Sequence, residues 1–458
     1  MLTNILPILK ERFGARCATG ASVLAQHGRD YSKHPDHLPD AVLFPETAAE
    51  VAEIVKLCAQ EAVPIVAFGA GSSLEGHILP VKGGISLDLS GMKRILAIRP
   101  DDLDVTLEPG VTRNELNQAL RPHGLFFPVD PGADATLGGM AATGASGTMS
   151  VRYGTMRDQV RALTFVSGTG QTVHAGGRAR KSSAGYDLCR LMVGSEGTLG
   201  IITELTLRVY PLPDAMVACV CAFAELSNAV RAVIHAIQLG LPLARAELLD
   251  ELTIAAVNRF SGLNLRGKPT LFLEFHGDDE SVASVAANMQ EIAAAEGGEE
   301  FNWAAHTEDR TKLWRARHDT WFACLDLCPG ARVFVTDVCV PISRLAECIE
   351  ATQRDRAEVT VTAPLFGHVG DGNFHMMVLI DPANPRAQDE ADWLNHRLIA
   401  RALALGGTST GEHGVGMGKR EFLRAEHGDA ALELMRGVKR VFDPLGILNP
   451  GKILPEEN

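Results

Sequence analysis

Two short segments in the last quarter of the sequence concentrate side chains that can bind a metal or move a proton. GHVGDGNFH contains His368 and His375, and GEHG contains Glu412 and His413. Two histidines and one carboxylate from two glycine-flanked loops form a donor set for a divalent metal that leaves positions open for a substrate. The alternative is that each histidine only satisfies hydrogen bonds in a crowded core. Four titratable groups in two such loops favour the metal.

Two glycine-rich segments could hold a large flat ligand. GAGSSLEG, residues 69–76, follows a predicted buried strand, so its backbone could approach a pyrophosphate. DPGADATLGGMAATGASG, residues 130–147, offers a long stretch of backbone with little side-chain bulk. The alternatives are a plain turn and a loop packed against the protein's own sheet. The spacing is not the dinucleotide fingerprint, which disfavours a nicotinamide-binding Rossmann domain.

A predicted helix, LWRARHDTW at residues 313–321, carries Arg315 and Arg317. The two arginines are two positions apart and cannot share a helix face. The planar fork of an arginine suits a carboxylate ligand. The alternative for Arg317 is an ion pair at the surface, and Arg315 is expected to be a solvated or structural cation.

The elements that must position these residues fall into two groups that meet at Pro211-Leu-Pro213. Before this point, capping boxes at Thr47 and Thr112 predict helices, and TFVSGTGQTVHA predicts a hairpin. After it, strands alternate with long helices, which predicts an α+β domain of ferredoxin-like type. The predicted strands are 216–223, 244–249 and 271–275, and the predicted helices include 226–240 and 281–295.

The composition is that of an ordinary globular protein. The chain has 458 residues, of which 46% are hydrophobic and 22% charged, and its formal net charge is −13. This charge disfavours nucleic acid as a partner. The nine scattered cysteines are expected to be reduced and mostly buried. The N-terminal sequence predicts a short amphipathic helix and no signal peptide. A membrane-spanning helix needs about 20 apolar residues, and every apolar run in the sequence is much shorter. We therefore expect a cytoplasmic protein, with peripheral contact at the inner face of the membrane left open.

A family resemblance covers nearly the whole chain. The runs VPIVAFGAGSSLEG, FFPVDPGADATLGGMAATGASGT, VRYGTMRD and GSEGTLGIITELTLR resemble the FAD domain of the vanillyl-alcohol oxidase / p-cresol methylhydroxylase fold. With TDVCVPISRL, GHVGDGNFH, STGEHGVGMGK and FDPLGILNPGK added, the chain resembles the cytochrome-linked D-lactate dehydrogenase family. Glycolate oxidase flavin subunits and D-2-hydroxyglutarate dehydrogenases are neighbouring groups.

The resemblance implies a two-domain α+β flavoprotein. Residues 1–213 would form the FAD-binding domain and residues 214–414 a ferredoxin-like substrate (cap) domain that carries the metal site. Residues 415–458 would return to the FAD domain. Ser72 stands where a Gly-Gly-His variant would place a tethering histidine, and His77 lies outside that pattern, so we expect non-covalent FAD. The implied FAD contacts are Phe68, Gly69, Ala70, Gly71, Ser72, Ser73, Gly76, Pro131, Gly132, Thr136, Gly139, Ala142, Ser146, Gly147, Glu196, Gly197, Ile202 and Asn449.

The resemblance also assigns roles to the polar residues. His368, His375 and Glu412 would hold one divalent metal, for which Zn²⁺, Mn²⁺ and Fe²⁺ are all suitable. His413 would be the catalytic base. Because adjacent residues of an extended segment point to opposite sides, Glu412 would face the metal and His413 the substrate. Arg317 would bind the substrate carboxylate, with Trp321 beside the substrate side chain.

The implied reaction is oxidation of a small D-2-hydroxy acid, D-lactate above all, to the 2-oxo acid. Hydride would pass to flavin N5, and electrons would continue to cytochrome c, a quinone or an electron-transfer protein. Similar 2-hydroxyglutarate enzymes have a lysine where this chain has Val335, which favours a monocarboxylate. The alternatives are a D-2-hydroxyglutarate or glycolate enzyme, and a non-catalytic flavin-binding subunit of a redox complex. The oligomeric state is left open, a dimer included.

Overall fold

The computed structural model describes residues 2–304 and 306–456, and its contacts divide the chain into two compact units. Unit 1 comprises Met1–Ser146, Gly154–Leu212 and Glu412–Asn458, and unit 2 comprises Gly147–Tyr153 and Pro213–Gly411. Within the described ranges, no helix is both long enough and apolar enough to cross a membrane.

Unit 1 combines eleven strands with eight helices within its described residues. Its strands are β1 Cys17–Ala18, β2 Ala41–Leu43, β3 Ile65–Phe68, β4 Ile85–Asp88, β5 Ile95–Arg99, β6 Asp104–Leu107, β7 Leu125–Phe126, β8 Val160–Val166, β9 Thr172–Gly176, β10 Ile201–Arg208 and β11 Tyr210–Pro211. Its helices are α1 Leu2–Phe13, α2 Ala21–Gln26, α3 Ala48–Gln60, α4 Arg113–Leu120, α5 Leu137–Thr143, α7 Met156–Gln159, α8 Leu188–Met192 and α16 Leu423–Phe442.

These strands form two main sheets, each with an apolar core. The mixed sheet has the order β1-β2-β4-β3, and its core includes Val51, Ile54 and Val55 of α3. The antiparallel sheet has the order β5-β6-β10-β8-β9, and its core includes residues of α4 and α5. The predicted hairpin is confirmed as β8 and β9, which pair antiparallel.

The two predicted helix starts differ in detail. Thr112 and Glu115 form the complete capping box that begins α4. At α3 only half of the box forms: the Thr47 side chain accepts from the backbone N–H of Glu50. The Glu50 carboxylate instead accepts from both terminal nitrogens of Arg16, at 2.7 Å each. Oε2 of Glu50 also accepts from the backbone N–H of Glu46 at 2.7 Å, one residue before the expected donor Thr47.

Unit 2 is built on one large antiparallel sheet of order β15-β12-β14-β13-β18-β19-β16, with β17 also paired to β19. Its strands are β12 Ala215–Ala222, β13 Leu243–Leu249, β14 Thr270–Gly277, β15 Glu299–Ala304, β16 Arg332–Val335, β17 Val338–Cys339, β18 Leu365–Gly367 and β19 Asn373–Ile380. Its helices are α6 Ser150–Tyr153, α9 Leu226–Gln238, α10 Glu251–Ser261, α11 Asp279–Ala295, α12 Thr307–His318, α13 Thr320–Leu325, α14 Leu345–Arg356 and α15 Ala387–Ala404.

The first half of unit 2 confirms the ferredoxin-like prediction. Strands β12, β13, β14 and β15 stand in the spatial order fourth, first, third, second, and all their pairings are antiparallel. Helices α9 and α11 supply the two crossovers, and buried alanines and valines of α9 lie on its inner face. Strands β18, β19 and β16 extend this sheet and carry the histidine segment.

The cysteines are reduced, as the sequence predicted. Seven of the nine thiols are buried, and Cys328 and Cys339 are half-buried. Burial raises the pKa of the Cys58 and Cys324 thiols to about 12, so these thiols behave as small apolar side chains.

Candidate active site

The first glycine-rich segment of unit 1 leaves strand β3 at Phe68 and packs against the start of helix α5. A Cβ atom on Gly69 would lie 2.3 Å from Oγ1 of Thr136, so the two segments meet this closely because residue 69 is a glycine. Thr136 is the N-cap of α5, and its hydroxyl accepts from the N–H of Gly139. The structure thus brings together three of the residues predicted to contact FAD.

Glu196 and Asn449 join this cluster from distant parts of the chain. The N–H of Glu196 donates to the carbonyl of Ala142 at 2.8 Å, and Nδ2 of Asn449 donates to the carbonyl of Glu196 at 2.7 Å. Asn449 also donates its N–H to the carbonyl of Ile65 in β3. Glu196 and Asn449 both have positive φ values, +53° and +40°, a strained backbone that proteins retain mainly at functional sites.

The other predicted FAD residues of unit 1 lie on these same segments. Gly71 and Gly76 adopt positive φ in the loop after β3, and Gly197 does so directly after Glu196. The Ser73 hydroxyl donates to Asp30 at 2.9 Å. Gly147 instead groups with unit 2, where its N–H donates to the hydroxyl of Ser150. Ala70 and Ser72 lie in the loop after β3, Pro131 and Gly132 precede α5, Ser146 follows α5, and Ile202 lies in β10.

The chemistry of this cluster fits a large bound ligand. Oδ1 of Asn449 and Oγ of Ser195 are buried, and neither has a hydrogen-bond partner among the described residues. Buried polar atoms almost always have a hydrogen-bond partner, and these two belong to segments that Asn449 Nδ2 joins through the carbonyl of Glu196. A Cβ on Gly132 or on Gly194 would meet nothing within 4 Å. Unsatisfied polar atoms next to open backbone are what an FAD site requires.

In unit 2, the two predicted metal-binding histidines lie on neighbouring strands. His368 directly follows β18 and His375 lies in β19, with ring centroids 5.6 Å apart. Nδ1 of His368 lies 2.7 Å from Oε1 of Glu247, and Nδ1 of His375 lies 3.1 Å from the carbonyl of Thr336. An acceptor at Nδ1 fixes the ring so that Nε2 carries the lone pair, which is the usual arrangement of a metal-binding histidine.

Glu247 connects His368 to the predicted substrate arginine. Nε and Nη2 of Arg317 donate to Oε2 of Glu247 at 2.9 and 2.6 Å, while Oε1 faces His368. Burial alone would raise the pKa of Glu247, but the charges and hydrogen bonds of His368 and Arg317 lower it below its ordinary value. An ionised carboxylate in strand β13 therefore orients both functional side chains.

The two arginines of helix α12 have opposite environments. Arg317 is buried, with 9% of its side chain exposed, so the alternative of a surface ion pair is wrong. Its guanidinium also lies over the ring of Phe366, and no hydrogen bond joins its Nη1 to any described residue. Arg315 is 83% exposed and lies 3.7 Å from Asp319, as expected of a solvated cation. Trp321, one turn after Arg317, packs partly against the apolar core of unit 2 together with Val335.

Sequence patterns did not reveal Glu247 or the buried Asp337. Asp337 accepts from Nδ2 of Asn373 and from the hydroxyl of Thr410, both at 2.7 Å. Gly411 packs on the same group, because a Cβ there would lie 2.1 Å from Asn373 Nδ2. The available signal was a single acidic residue in a mostly apolar run, in LARAELL, which also contains Arg245, and in VFVTDVCV. Such residues are buried only when partners stabilise them.

Glu412 and His413 fall in unit 1. The Ser146 hydroxyl donates to Oε2 of Glu412 at 2.5 Å, which joins a predicted FAD contact to a predicted metal ligand. The chain bends at these residues, and Oε1 of Glu412 lies 3.9 Å from Nε2 of His413. The expectation that the two side chains point to opposite sides is therefore wrong, since it assumed an extended backbone.

Comparison with known proteins identifies the class. Residues 212–453 match the model of the C-terminal domain of FAD-linked oxidases, and residues 39–176 match a model of an FAD-binding domain. The structure is similar to that of p-cresol methylhydroxylase with substrate bound, with a TM-score of 0.80 at 17% identity, over 99% of this chain and 96% of that one. The chain therefore belongs to the FAD-linked oxidases and has the p-cresol methylhydroxylase fold.

Two curated relatives with high sequence identity are named D-lactate dehydrogenases. The chain is 48% identical to a probable mitochondrial D-lactate dehydrogenase of Danio rerio, over 95% of this chain and 88% of the relative. It is 44% identical to a mitochondrial D-lactate dehydrogenase (cytochrome) of Arabidopsis thaliana, over 92% of this chain and 74% of the relative. The resemblance inferred from the sequence is confirmed.

Proposed function

We propose that this chain oxidises D-lactate to pyruvate with non-covalently bound FAD. The observation that carries the proposal is the shared carboxylate of Glu247, which holds Arg317 and His368 in one buried group of unit 2. A carboxylate-binding arginine next to a metal-binding histidine suits a 2-hydroxy acid, whose carboxylate and hydroxyl are on adjacent carbons. The relatives at 37–48% identity carry the name D-lactate dehydrogenase.

We assign the chemical roles residue by residue. Arg317 binds the substrate carboxylate, because Glu247 already orients its planar fork. His413 takes the hydroxyl proton, since an imidazole with a reference pKa of about 6.5 can act as a base near neutral pH. When bound, FAD supplies the hydride acceptor for the α-hydrogen. The predicted FAD residues of unit 1 hold the cofactor mainly by backbone contacts.

The proposed metal ligands are His368, His375 and Glu412. Both histidines have a hydrogen-bond acceptor at Nδ1. Gly411 is the residue before Glu412, and it packs on Asn373, which is two residues before His375. A divalent ion held there would lower the pKa of the substrate hydroxyl.

The preference for a substrate with a small, uncharged side chain is supported by two apolar residues of unit 2. Trp321 and Val335 both pack on the apolar core of unit 2, so position 335 offers no cation for a second carboxylate. We therefore propose lactate in preference to 2-hydroxyglutarate.

Anaerobic addition of D-lactate to the purified holoprotein tests the function. We expect the flavin absorbance band to bleach with D-lactate and to stay unchanged with L-lactate. D-2-hydroxyglutarate should bleach it far more slowly. Faster bleaching by the dicarboxylate would refute the choice of substrate, and no bleaching by any 2-hydroxy acid would refute the function.

Removal of the metal tests the remaining part of the mechanism. Dialysis against a strong chelator should abolish flavin reduction and leave FAD bound, because the glycine segments contain none of the proposed ligands. Adding Mn²⁺ or Zn²⁺ should restore the rate in the wild type but not in His375→Ala. Full-speed reduction by protein that elemental analysis finds metal-free would refute the metal site.

The electron acceptor and the location are further proposals. The relatives' designation as cytochrome enzymes suggests cytochrome c as acceptor, with a quinone or an electron-transfer protein as the alternatives. We keep the cytoplasm as the proposed location, although the Danio and Arabidopsis relatives are named mitochondrial. Assay of reduced enzyme with each acceptor, and cell fractionation, test these two proposals.

A further inference from the structure

The loop that carries His413 is held by a buried carboxylate that belongs to another segment of unit 1. Oε1 of Glu196 accepts from the N–H of Val415 at 2.7 Å, and Oε2 accepts from the N–H of Gly416 at 2.9 Å. The Glu196 side chain is only 2% exposed. Both carboxylate oxygens are thus engaged with the backbone two and three residues after His413.

His77 completes this support. Its Nε2 lies 3.4 Å from Oε1 of Glu196, and the ring is 4% exposed. A Cβ on Gly414, the residue directly after His413, would lie 2.7 Å from Nε2 of His77 and 2.8 Å from Oε1 of Glu196. Gly414 has a φ of +81°, so a side chain there would be strained as well as blocked. The loop therefore rests directly on the Glu196–His77 pair.

The other side of the loop is fixed to the end of the first glycine-rich segment. The N–H of Met417 donates to the carbonyl of Glu75 at 2.8 Å, and a Cβ on Gly416 would lie 2.1 Å from that carbonyl oxygen. Asn449 ties the support together, because its Nδ2 donates to the carbonyls of both His77 and Glu196. Residues 414–417 consequently have little freedom to move.

We infer that Glu196, supported by His77 and Asn449, is a positioning residue that holds the loop of the catalytic base His413. The inference rests on the proposed function and adds a role for the carboxylate of Glu196, a residue that the resemblance places among the FAD contacts. The carboxylate acts through the backbone N–H groups of Val415 and Gly416. Its effect should appear when the substrate is oxidised and not when the reduced flavin passes its electrons on.

The decisive variant is Glu196→Gln. The glutamine amide keeps the shape but turns an NH₂ group toward a backbone N–H, so one donor faces another donor. The rate of flavin reduction at saturating D-lactate should fall by about 10–100-fold, as for other residues that orient a catalytic group. The half-saturating D-lactate concentration should change by less than about twofold, because substrate binding is not removed. FAD content and reoxidation by a small dye should be unchanged.

Glu108→Gln is the matched control. Glu108 is another buried carboxylate of unit 1 that accepts a backbone N–H, that of Arg94 at 2.8 Å, and it has no proposed catalytic role. This variant should keep the wild-type rate of flavin reduction. Glu196→Asp, which keeps the charge on a shorter stem, should retain more activity than Glu196→Gln and serves if the glutamine variant does not fold.

The outcomes separate this inference from the proposed function. Wild-type protein that D-lactate does not bleach refutes the function itself. Wild-type bleaching with an unchanged rate in Glu196→Gln refutes only the positioning role. Loss of FAD from a folded Glu196 variant also refutes it, because the side chain would then be a cofactor contact. Equal slowing of flavin reduction and dye reoxidation would refute it too, since general loosening of unit 1 would explain both.

Discussion

The two units offer different kinds of groups to their proposed ligands. Unit 1 offers mainly backbone: its predicted FAD residues are mostly glycine, alanine, serine and threonine, and close approaches such as Gly69 to Thr136 define their geometry. Unit 2 offers charged side chains on strands and helices, and a single carboxylate, Glu247, orients two of them.

This difference has a consequence for tolerance to mutation. A backbone site depends on the absence of side chains, so it is disturbed by added atoms. A side-chain site depends on mutual charge compensation, so it is disturbed when one partner is removed and the other stays buried and unpaired. The loop of Glu412 and His413 combines both kinds, because a buried carboxylate holds its glycine-rich backbone.

His413→Ala should have the largest effect and tests whether the loop of unit 1 carries the base. We expect kcat with D-lactate to fall by about 10²–10⁴-fold, the usual cost of removing a general base. FAD should stay bound, because His413 lies outside the glycine segments. His427→Ala, at a histidine with 38% of its side chain exposed, is the control and should keep the wild-type rate. A near-wild-type rate in His413→Ala would exclude His413 as the base.

Glu247→Gln tests whether one carboxylate orients both Arg317 and His368 in unit 2. The variant leaves Arg317 and His368 without their shared anion, so flavin reduction should fall by about 10–100-fold and metal content should drop. Glu274→Gln removes another buried carboxylate, which accepts from Nε2 of His276, from strand β14 of the same sheet. That control should lower the melting temperature without a comparable loss of rate. Equal losses of rate in both variants would contradict the special role of Glu247.

Arg317→Lys asks whether geometry or charge alone binds the substrate carboxylate. Nε and Nη2 of Arg317 already donate to Glu247, so the substrate carboxylate would take the remaining nitrogen, Nη1. Lysine keeps the charge but has a single nitrogen, which cannot serve both carboxylates in this geometry, so KM for D-lactate should rise roughly tenfold, or about 1.4 kcal/mol. Arg315→Lys, at the exposed arginine of the same helix, should leave KM unchanged. An unchanged KM in Arg317→Lys would remove this residue from the binding site.

The last prediction concerns stability and not catalysis: it involves Lys452 in unit 1, whose Nζ donates to the carbonyl of Leu79. Burial lowers the pKa of Lys452 to about 8. The unfolded chain therefore holds this proton up to higher pH than the folded one, and stability should rise with pH from about 8 to about 10.4, by at most about 1.4 kcal/mol per pH unit. Lys452→Met should lack this rise when the melting temperatures of the two proteins are compared across that range. Parallel pH profiles would contradict it.

Local patterns in the sequence were sufficient for much of the fold. The hairpin of β8 and β9, the capping box of α4 and the ferredoxin-like alternation after Pro213 depend on turn residues, caps and periodicity, which are short-range properties. The glycine segments could be predicted for the same reason, because a run of small residues leaves its backbone accessible to a ligand. The family resemblance then supplied roles that the spacing of the histidines had left open.

Tertiary structure alone decided which buried charges meet. Glu247 and Arg317 are 70 residues apart and Glu247 and His368 are 121 apart, so no local pattern connects them. The same holds for Glu196, which appeared to be part of a glycine-rich turn but uses its carboxylate on a backbone 219 residues away. Gly147–Tyr153 follows the FAD segment in the chain yet packs with unit 2, where the Tyr153 hydroxyl lies 2.9 Å from His276. The physical reason is that sequence specifies the residues that need a partner, whereas chain folding brings that partner from a distant segment.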